Sequence, residues 1–297
     1  MKTLKIRNVN YVRTGYDRDD ISRKEFVSVV YSLDDDGRVV EERHFNQDDQ
    51  IEDYVKNTYI DGLLVKSEQY DGDDNLILTT ENSYDAERHI VKCTSSYGEA
   101  DAVEEVVFVY DGGLLRKEML ADDAEPLVLK EYFYESPQGG NLVTKRVEYD
   151  EDGAVQYIYM YDYDEKGQVV EMKVEEVAAK DRRTYTYEYD NHGNRIKELT
   201  YNYDDTLIAK KYTEYAPDGR ILSEEAEDLD NYKKTVYEYT GDNLAKISVY
   251  AKDDALLSWS ELQYDADGRL YASADYIIDE VDPSEYRLLA EAYRIYE

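Results

Sequence analysis

Three histidines (His44, His89 and His192) and a single cysteine, Cys93, are the residues of this 297-residue chain best suited to acid–base or nucleophilic chemistry. Such chemistry needs a partner: a nucleophile is activated by a base within hydrogen-bond reach, and the base is held by a third group. The sequence offers no such grouping. The histidines are far apart in the chain, His192 falls inside a turn signal, and Cys93 sits in a strand pattern as a small packed residue. No Gly-x-Ser-x-Gly elbow, His-Glu-x-x-His pair or phosphate loop is present. Carboxylates are abundant, and two runs, Asp71-Gly72-Asp73-Asp74-Asn75 and Asp150-Glu151-Asp152-Gly153, have a superficial calcium-loop look. Neither completes the twelve-position ligand pattern, so both read as solvated turns. The expectation is a non-enzyme with no catalytic residue, no cofactor and no metal.

The remaining candidate chemistry is aromatic. The chain has 33 tyrosines, and a tyrosine ring packs on a pleated surface while its hydroxyl stays wet. Tyr157, Tyr159, Tyr161 and Tyr163 alternate along one segment, and Tyr185, Tyr187 and Tyr189 along another. Alternation puts each set on one face of a strand. These seven residues, with the single tryptophan Trp259, are the candidate partner-binding surface. The competing reading is a half-buried ladder that holds a sheet together.

The elements that carry these residues are repeated. Tyr187-Glu188-Tyr189-Asp190-Asn191-His192-Gly193-Asn194-Arg195-Ile196 aligns with Leu262-Gln263-Tyr264-Asp265-Ala266-Asp267-Gly268-Arg269-Leu270. Segments around Tyr163 and Tyr215 follow suit, and the register runs Tyr31, Tyr59, Tyr84, Tyr110, Tyr134, Tyr163, Tyr189, Tyr215, Tyr239 and Tyr264. In each unit a strand meets an Asp-x-x-Gly turn, where Asp bonds its own backbone and Gly takes positive φ. A second strand returns to a second, acidic turn such as Asp204-Asp205 or Asp253-Asp254. Short turns force neighbouring strands to be antiparallel.

The fold class is therefore all-β: an elongated, solenoid-like antiparallel meander, one twisted sheet of about 20 strands. The domain reading is a single tandem-repeat domain over 1–297, with about ten units over 26–271, an N-terminal cap over 1–25 and a C-terminal cap over 272–297. Residues 4–12 and 23–31 read as an opening hairpin. The last segment reads two ways. Asp282-Pro283-Ser284-Glu285 resembles a helix start, and Leu288, Leu289, Ala292 and Ile295 follow at helical spacing, giving a capping helix. The repeat phase instead predicts a final strand.

The pattern Tyr-x-Tyr-Asp-x-x-Gly-[Asn/Arg]-x-[Ile/Leu], clearest at 187–196 and 262–270, resembles the YD repeat of the Rhs/YD-repeat family. The resemblance extends, with decay, over residues 26–271. It implies a β-sheet ribbon, which in family members spirals into a shell around a toxin domain, and it links related repeats to carbohydrate and cell-surface binding. The unit here is longer than the family's usual repeat. The resemblance is to a short form without a toxin domain.

Charge bounds the partner. The formal net charge is −34, with charged residues at 35%. A field of that sign repels nucleic-acid phosphates and anionic membranes and attracts basic proteins; it also keeps an extended sheet soluble. Recurrent tyrosines argue against disorder. One cysteine excludes an intrachain disulfide and fits a reducing compartment. The N-terminus has no apolar signal core, and no apolar run is long enough for a membrane helix. The expectation is a cytoplasmic protein, or a secreted or surface one if a leader has been removed. Its expected function is a protein-interaction scaffold for a basic partner, an immunity or adaptor protein being one version. A carbohydrate-binding surface protein and an acidic mimic of DNA are the alternatives.

Overall fold

The computed structural model describes residues 2–13, 21–98, 100, 102–121, 125–134, 141–279 and 285–297. The strands are β1 (Lys2–Arg13), β2 (Ile21–Leu33), β3 (Val39–Phe45), β4 (Ile51–Ile60), β5 (Leu63–Asp71), β6 (Leu76–Tyr84), β7 (Ile90–Tyr97) and β8 (Ala102–Asp111). There follow β9 (Leu114–Leu120), β10 (Leu127–Tyr134), β11 (Val143–Tyr149), β12 (Val155–Tyr163), β13 (Val169–Glu176), β14 (Asp181–Tyr189) and β15 (Arg195–Tyr201). The last are β16 (Leu207–Tyr215), β17 (Ile221–Asp228), β18 (Tyr232–Thr240), β19 (Asn243–Tyr250), β20 (Leu256–Tyr264), β21 (Leu270–Ile278) and β22 (Tyr286–Tyr296). The all-β antiparallel expectation stands. The open, solenoid-like sheet with a capping helix does not.

Two findings make the correction. All 22 strands belong to one sheet, and its first and last strands pair, from Leu4 opposite Tyr296 to Asn10 opposite Ala290. In connectivity the sheet is a closed barrel. Second, no helix occurs among the described residues, and 286–296 is strand β22. The expected cap at Asp282-Pro283-Ser284 lies outside the described residues. The helical spacing of Leu288, Leu289, Ala292 and Ile295 loses for a physical reason. An isolated helix of that length is marginal in water, whereas β22 is hydrogen-bonded on both sides, to β21 and β1. Strand β1 lies within 1–25 and strand β22 within 272–297, and these two form the closing pair.

The chain divides into two compact units. The first, Met1–Asn82, Ser95–Val103 and Thr235–Glu297, contains the antiparallel run β19-β20-β21-β22-β1-β2-β3-β4-β5-β6. The second, Ser83–Thr94 and Glu104–Lys234, contains the run β8 to β17.

Several turns of the two kinds expected from the sequence share one geometry. After β12, Asp164 N–H donates to Gln168 O at 2.9 Å and Gly167 N–H to Asp164 O at 3.1 Å, with Gly167 at φ 81°. After β15, Asn202 N–H donates to Thr206 O at 3.0 Å and Asp205 N–H to Asn202 O at 3.1 Å, with Asp205 at φ 63°. Such an acidic turn is the same three-residue loop with Asp in the left-handed position, which Asp tolerates better than most residues. Asp49, Asp74 and Asp254 repeat the substitution.

Among the described residues only Val9, Tyr54, Val147 and Ala272 are buried apolar side chains, joined by Thr184, Thr235 and Ser248. Five of these seven fall at one level of the strands. Tyr54 and Thr184 stand five residues before Tyr59 and Tyr189. Val147, Ser248 and Val9 pair with Ile158, Trp259 and Glu291, which stand five before Tyr163, Tyr264 and Tyr296. An odd spacing puts this belt on the face opposite the motif tyrosines.

Candidate functional site

The motif tyrosine has a defined task. Its hydroxyl donates to the backbone carbonyl at the start of the preceding strand: Tyr163 to Val143 O at 2.7 Å, Tyr189 to Val169 O at 2.8 Å, Tyr215 to Arg195 O at 3.2 Å. Tyr110, Tyr134 and Tyr59 do the same to Ile90, Leu115 and Val39. Beside each turn the ladder skips a residue, as between Asp162 and Tyr163, and the tyrosine engages a carbonyl next to that irregularity. Tyr296 at the end of β22 donates to Leu270 O at 3.2 Å, so β22 and its partner β1 form an eleventh unit of the same kind. At the other end of the register Leu33, not Tyr31, occupies the motif position, opposite Val39. In several units the residue after the turn covers the next ring: the Arg38 guanidinium lies 5.1 Å from the Tyr59 centroid and that of Arg269 5.1 Å from Tyr296. His89 stacks on Tyr110 at 4.8 Å.

The structure places the seven expected tyrosines together on one face of the second unit. Tyr161 and Tyr185 flank Met172 of β13, and Tyr159 and Arg183 flank Val174. Most of this set is engaged internally. Tyr163 and Tyr189 are latches, Arg146 stacks on Tyr159 at 3.9 Å, and Arg195 lies 5.0 Å over Tyr187. Burial pushes the Tyr187 hydroxyl up to about 12. Tyr157 packs against Tyr159, centroids 6.3 Å apart.

Trp259 is not part of this surface. It belongs to the first unit, on the face opposite Tyr264. There it stacks on Tyr276 at 4.8 Å, meets Tyr286 edge-on at 4.8 Å, and donates from Nε1 to Glu261 at 3.2 Å. Across the ladder is Ser248, fully buried, its Oγ without a hydrogen-bond partner.

Sequence reasoning missed a hollow on the tyrosine face of the second unit. Next to Tyr185, whose cross-strand partner is Thr200, the large side chains give way to Thr200, Ala209 and Ala226. They line a depression of about 280 Å³ with Glu198, Lys211 and Asp228 among its polar walls. The change from Tyr to Thr and Ala at these positions was the available signal.

The acid–base candidates are dispersed. His44 bridges two carboxylates, Nδ1 to Asp53 and Nε2 to Glu42, each at 2.8 Å. His89 reaches Asp85 at 3.1 Å, His192 stands exposed at a turn, and Cys93 is a half-buried thiol. Among the described residues no three His, Cys, Asp or Glu side chains are placed to hold a metal. The suspected calcium runs are turn caps: Asp71 Oδ1 accepts from the N–H groups of Asp73 and Asn75 at 2.9 and 2.8 Å. Bonds from the Asn75 side chain and backbone hold that carboxyl below its ordinary range.

His44 supplies a pH prediction. Burial opposes its charge, but hydrogen bonds to Glu42 and Asp53 and their Coulomb attraction outweigh it, so its pKa is raised. A raised folded pKa means stabilisation present below the ordinary histidine value and lost as pH rises through the folded value. We expect His44 to titrate above 6.5 by NMR, and His44→Gln to flatten the fall in melting temperature over that window. A melting curve equally steep in the variant would remove His44 as its source.

No protein-family model and no curated protein sequence matches the chain. Among solved structures, the chain is similar to TcdB2-TccC3-Cdc42 (13% identity, 84% of this chain, 15% of that chain, TM-score 0.39). It is also similar to TcdB2-TccC3 (10% identity, 96% of this chain, 24% of that chain, TM-score 0.38). A porin-like protein from Bacteroides uniformis has 7% identity, with 99% of this chain and 97% of that chain covered and a TM-score of 0.34. This chain thus spans less than a quarter of the length of the TcdB2-TccC3 chains.

Proposed function

We propose that this chain is a non-enzymatic interaction scaffold that holds a basic protein partner, with an immunity or adaptor role as one form of it, and that its repeat is of the YD type. The observation carrying the first part is the division of labour among turn carboxylates. Where a turn opens on Asp, that carboxylate is consumed: Asp34 caps the N–H groups of Asp36 and Arg38, and its side chain is 23% exposed. The Asp two positions on faces water, 73% exposed at Asp36 and 75% at Asp267, where it pairs at the surface with Arg38 and Arg269; Asp73 and Asp152 stand exposed at the same position. Such solvent-facing carboxylates recur at several turns, and with a net charge of −34 they favour a cationic surface over a nucleic acid or an anionic membrane. The Tyr-Asp-x-x-Gly frame supports the second part.

The test is size-exclusion chromatography of the chain mixed with the product of its adjacent gene. Co-elution at low salt that weakens as salt rises is the expected result, since counter-charges near a surface are screened over roughly 10 Å at 0.1 M. Separate elution at low salt counts against the pairing. The hollow beside Tyr185, with Thr200, Glu198 and Asp228 on its walls, favours a sugar ligand as the second reading. A silent glycan array would remove it.

A further inference from the structure

Two turns of the second unit carry a large, exposed side chain at their second position. In the turns after β3, β5, β11 and β19 the second residue is Gln47, Gly72, Glu151 and Lys252. After β15 it is Tyr203, 63% exposed, and after β17 it is Leu229, 78% exposed. Neither turn needs an apolar residue there. The first closes through Asn202, Asp205 and Thr206; in the second, Asp228 accepts from the N–H groups of Asp230 and Asn231 at 2.9 and 2.8 Å. Leu229 is also not isolated. With Leu207, itself exposed, and Ile208 it lines a hollow of about 210 Å³ floored by Ala209 and bounded by the Lys210–Glu227 ion pair.

The setting of this hollow is acidic. Asp204, Asp205, Asp228 and Asp230 stand in the two turns that frame it. Asp205 is paired with Arg182 at 2.9 Å, while Asp230 makes no ion pair among the described residues. An exposed leucine beside a lone carboxylate suits a segment that offers an apolar side chain between cations. A neutral apolar segment would leave the carboxylates unmatched, and an acidic one would be repelled. We propose that this hollow is the anchor pocket of the scaffold: it takes one large aliphatic or aromatic side chain of a partner segment whose flanking residues are Lys or Arg. The proposal rests on the scaffold reading above and names the surface and the kind of segment it fits. An apolar anchor in a pocket, ringed by charges that steer and orient it, is the usual way a small contact becomes specific.

Fluorescence anisotropy of the full chain with three short synthetic peptides tests it. One has a central Leu-Leu flanked by lysines, one has Ser-Ser in place of Leu-Leu, and one has glutamates in place of lysines. At low salt the Leu/Lys peptide is expected to bind at least about tenfold more tightly than the Ser/Lys peptide, and the Glu peptide not at all. Leu229→Ser is expected to remove that advantage while leaving Ser/Lys binding unchanged. Leu257→Ser, at an exposed leucine of the first unit, is expected to change nothing. Because Leu229 is so exposed, the variant should keep the native circular dichroism spectrum. Equal binding of the Leu/Lys peptide by native protein and Leu229→Ser overturns the pocket but leaves the acidic scaffold standing. Absence of binding by either lysine peptide at low salt overturns both. Binding of the Glu peptide as tight as that of the Leu/Lys peptide overturns the commitment to a basic partner.

Discussion

Val9→Asp is expected to destabilise the protein by about 3–5 kcal/mol, the usual cost of leaving a buried charge unpaired. Val9 is completely buried, and its cross-strand partners are Glu25 on β2 and Glu291 on β22. Those two carboxylates already have their donors. Glu25 takes Arg7 at 3.1 Å and Arg23 at 2.9 Å; Glu291 accepts from the hydroxyls of Tyr11 at 2.6 Å and Tyr293 at 3.0 Å. A third carboxylate between them would have neither water nor a cation. Val9→Ala, which leaves only a small cavity, should cost about 1–2 kcal/mol. Urea denaturation of both variants separates charge from volume. The charge part also has a pH signature: burial raises the new carboxyl's folded pKa, so the penalty should shrink as the group protonates in acid. Equal destabilisation by Asp and Ala would show that this level of the sheet is not dry.

Ala292→Pro is expected to open the closing pair. Ala292 stands between Ser273 of β21 and Asn8 of β1. A proline there removes a ladder hydrogen bond in a strand paired on both sides, a setting where proline is essentially not found. The cost should be about 3 kcal/mol or more, by analogy with proline in a helix interior. The larger consequence is in association. Freeing β1 from β22 exposes two rows of unpaired N–H and C=O groups, a ready template for pairing with another copy. Light scattering after size exclusion should show a concentration-dependent oligomer that the native protein lacks. Asp35→Pro is the control. It lies at the second position of the turn after β2, where proline is favoured, and it should shift stability by no more than about 0.5 kcal/mol. A monomeric, fully stable Ala292→Pro protein would show that the seam contributes little.

The sequence carried the repeat clearly, because a turn that needs Asp to cap and Gly for positive φ writes one or both residues into most units. It carried the shared face of Tyr157 to Tyr163 and of Tyr185 to Tyr189 equally well, since alternation alone determines it. The odd spacing of Trp259 from Tyr264 was also on view, and it separates Trp259 from that face. Other features left little trace. The acidic turns hid their identity because Asp205 does the work of Gly167. The belt five positions before the motif tyrosine is filled by Tyr, Thr, Trp, Ile and Glu, a set with no common hydropathy. Closure is illegible locally: nothing in 286–296 records that its partner is 4–10. The latch role of Tyr163 and Tyr189 was hidden for the same reason, because the acceptor is a backbone carbonyl about 20 residues earlier, and carbonyls have no sequence.

The closing pair also bears on how the chain reaches its fold. Every described pairing but one joins strands adjacent in sequence, and the exception spans nearly the whole chain, as the Lys5–Glu297 contact shows. Local pairings form fast because little loop entropy opposes them. Closing a very long loop costs only logarithmically more than closing a short one. Hairpins can therefore zip from several starting points, and the pairing of β1 with β22 is the natural last event. Until it happens, the nascent sheet has the two adhesive edges that the finished one lacks. The lifetime of that unclosed intermediate, more than the stability of any single unit, then sets how often a chain is lost to a neighbour while folding.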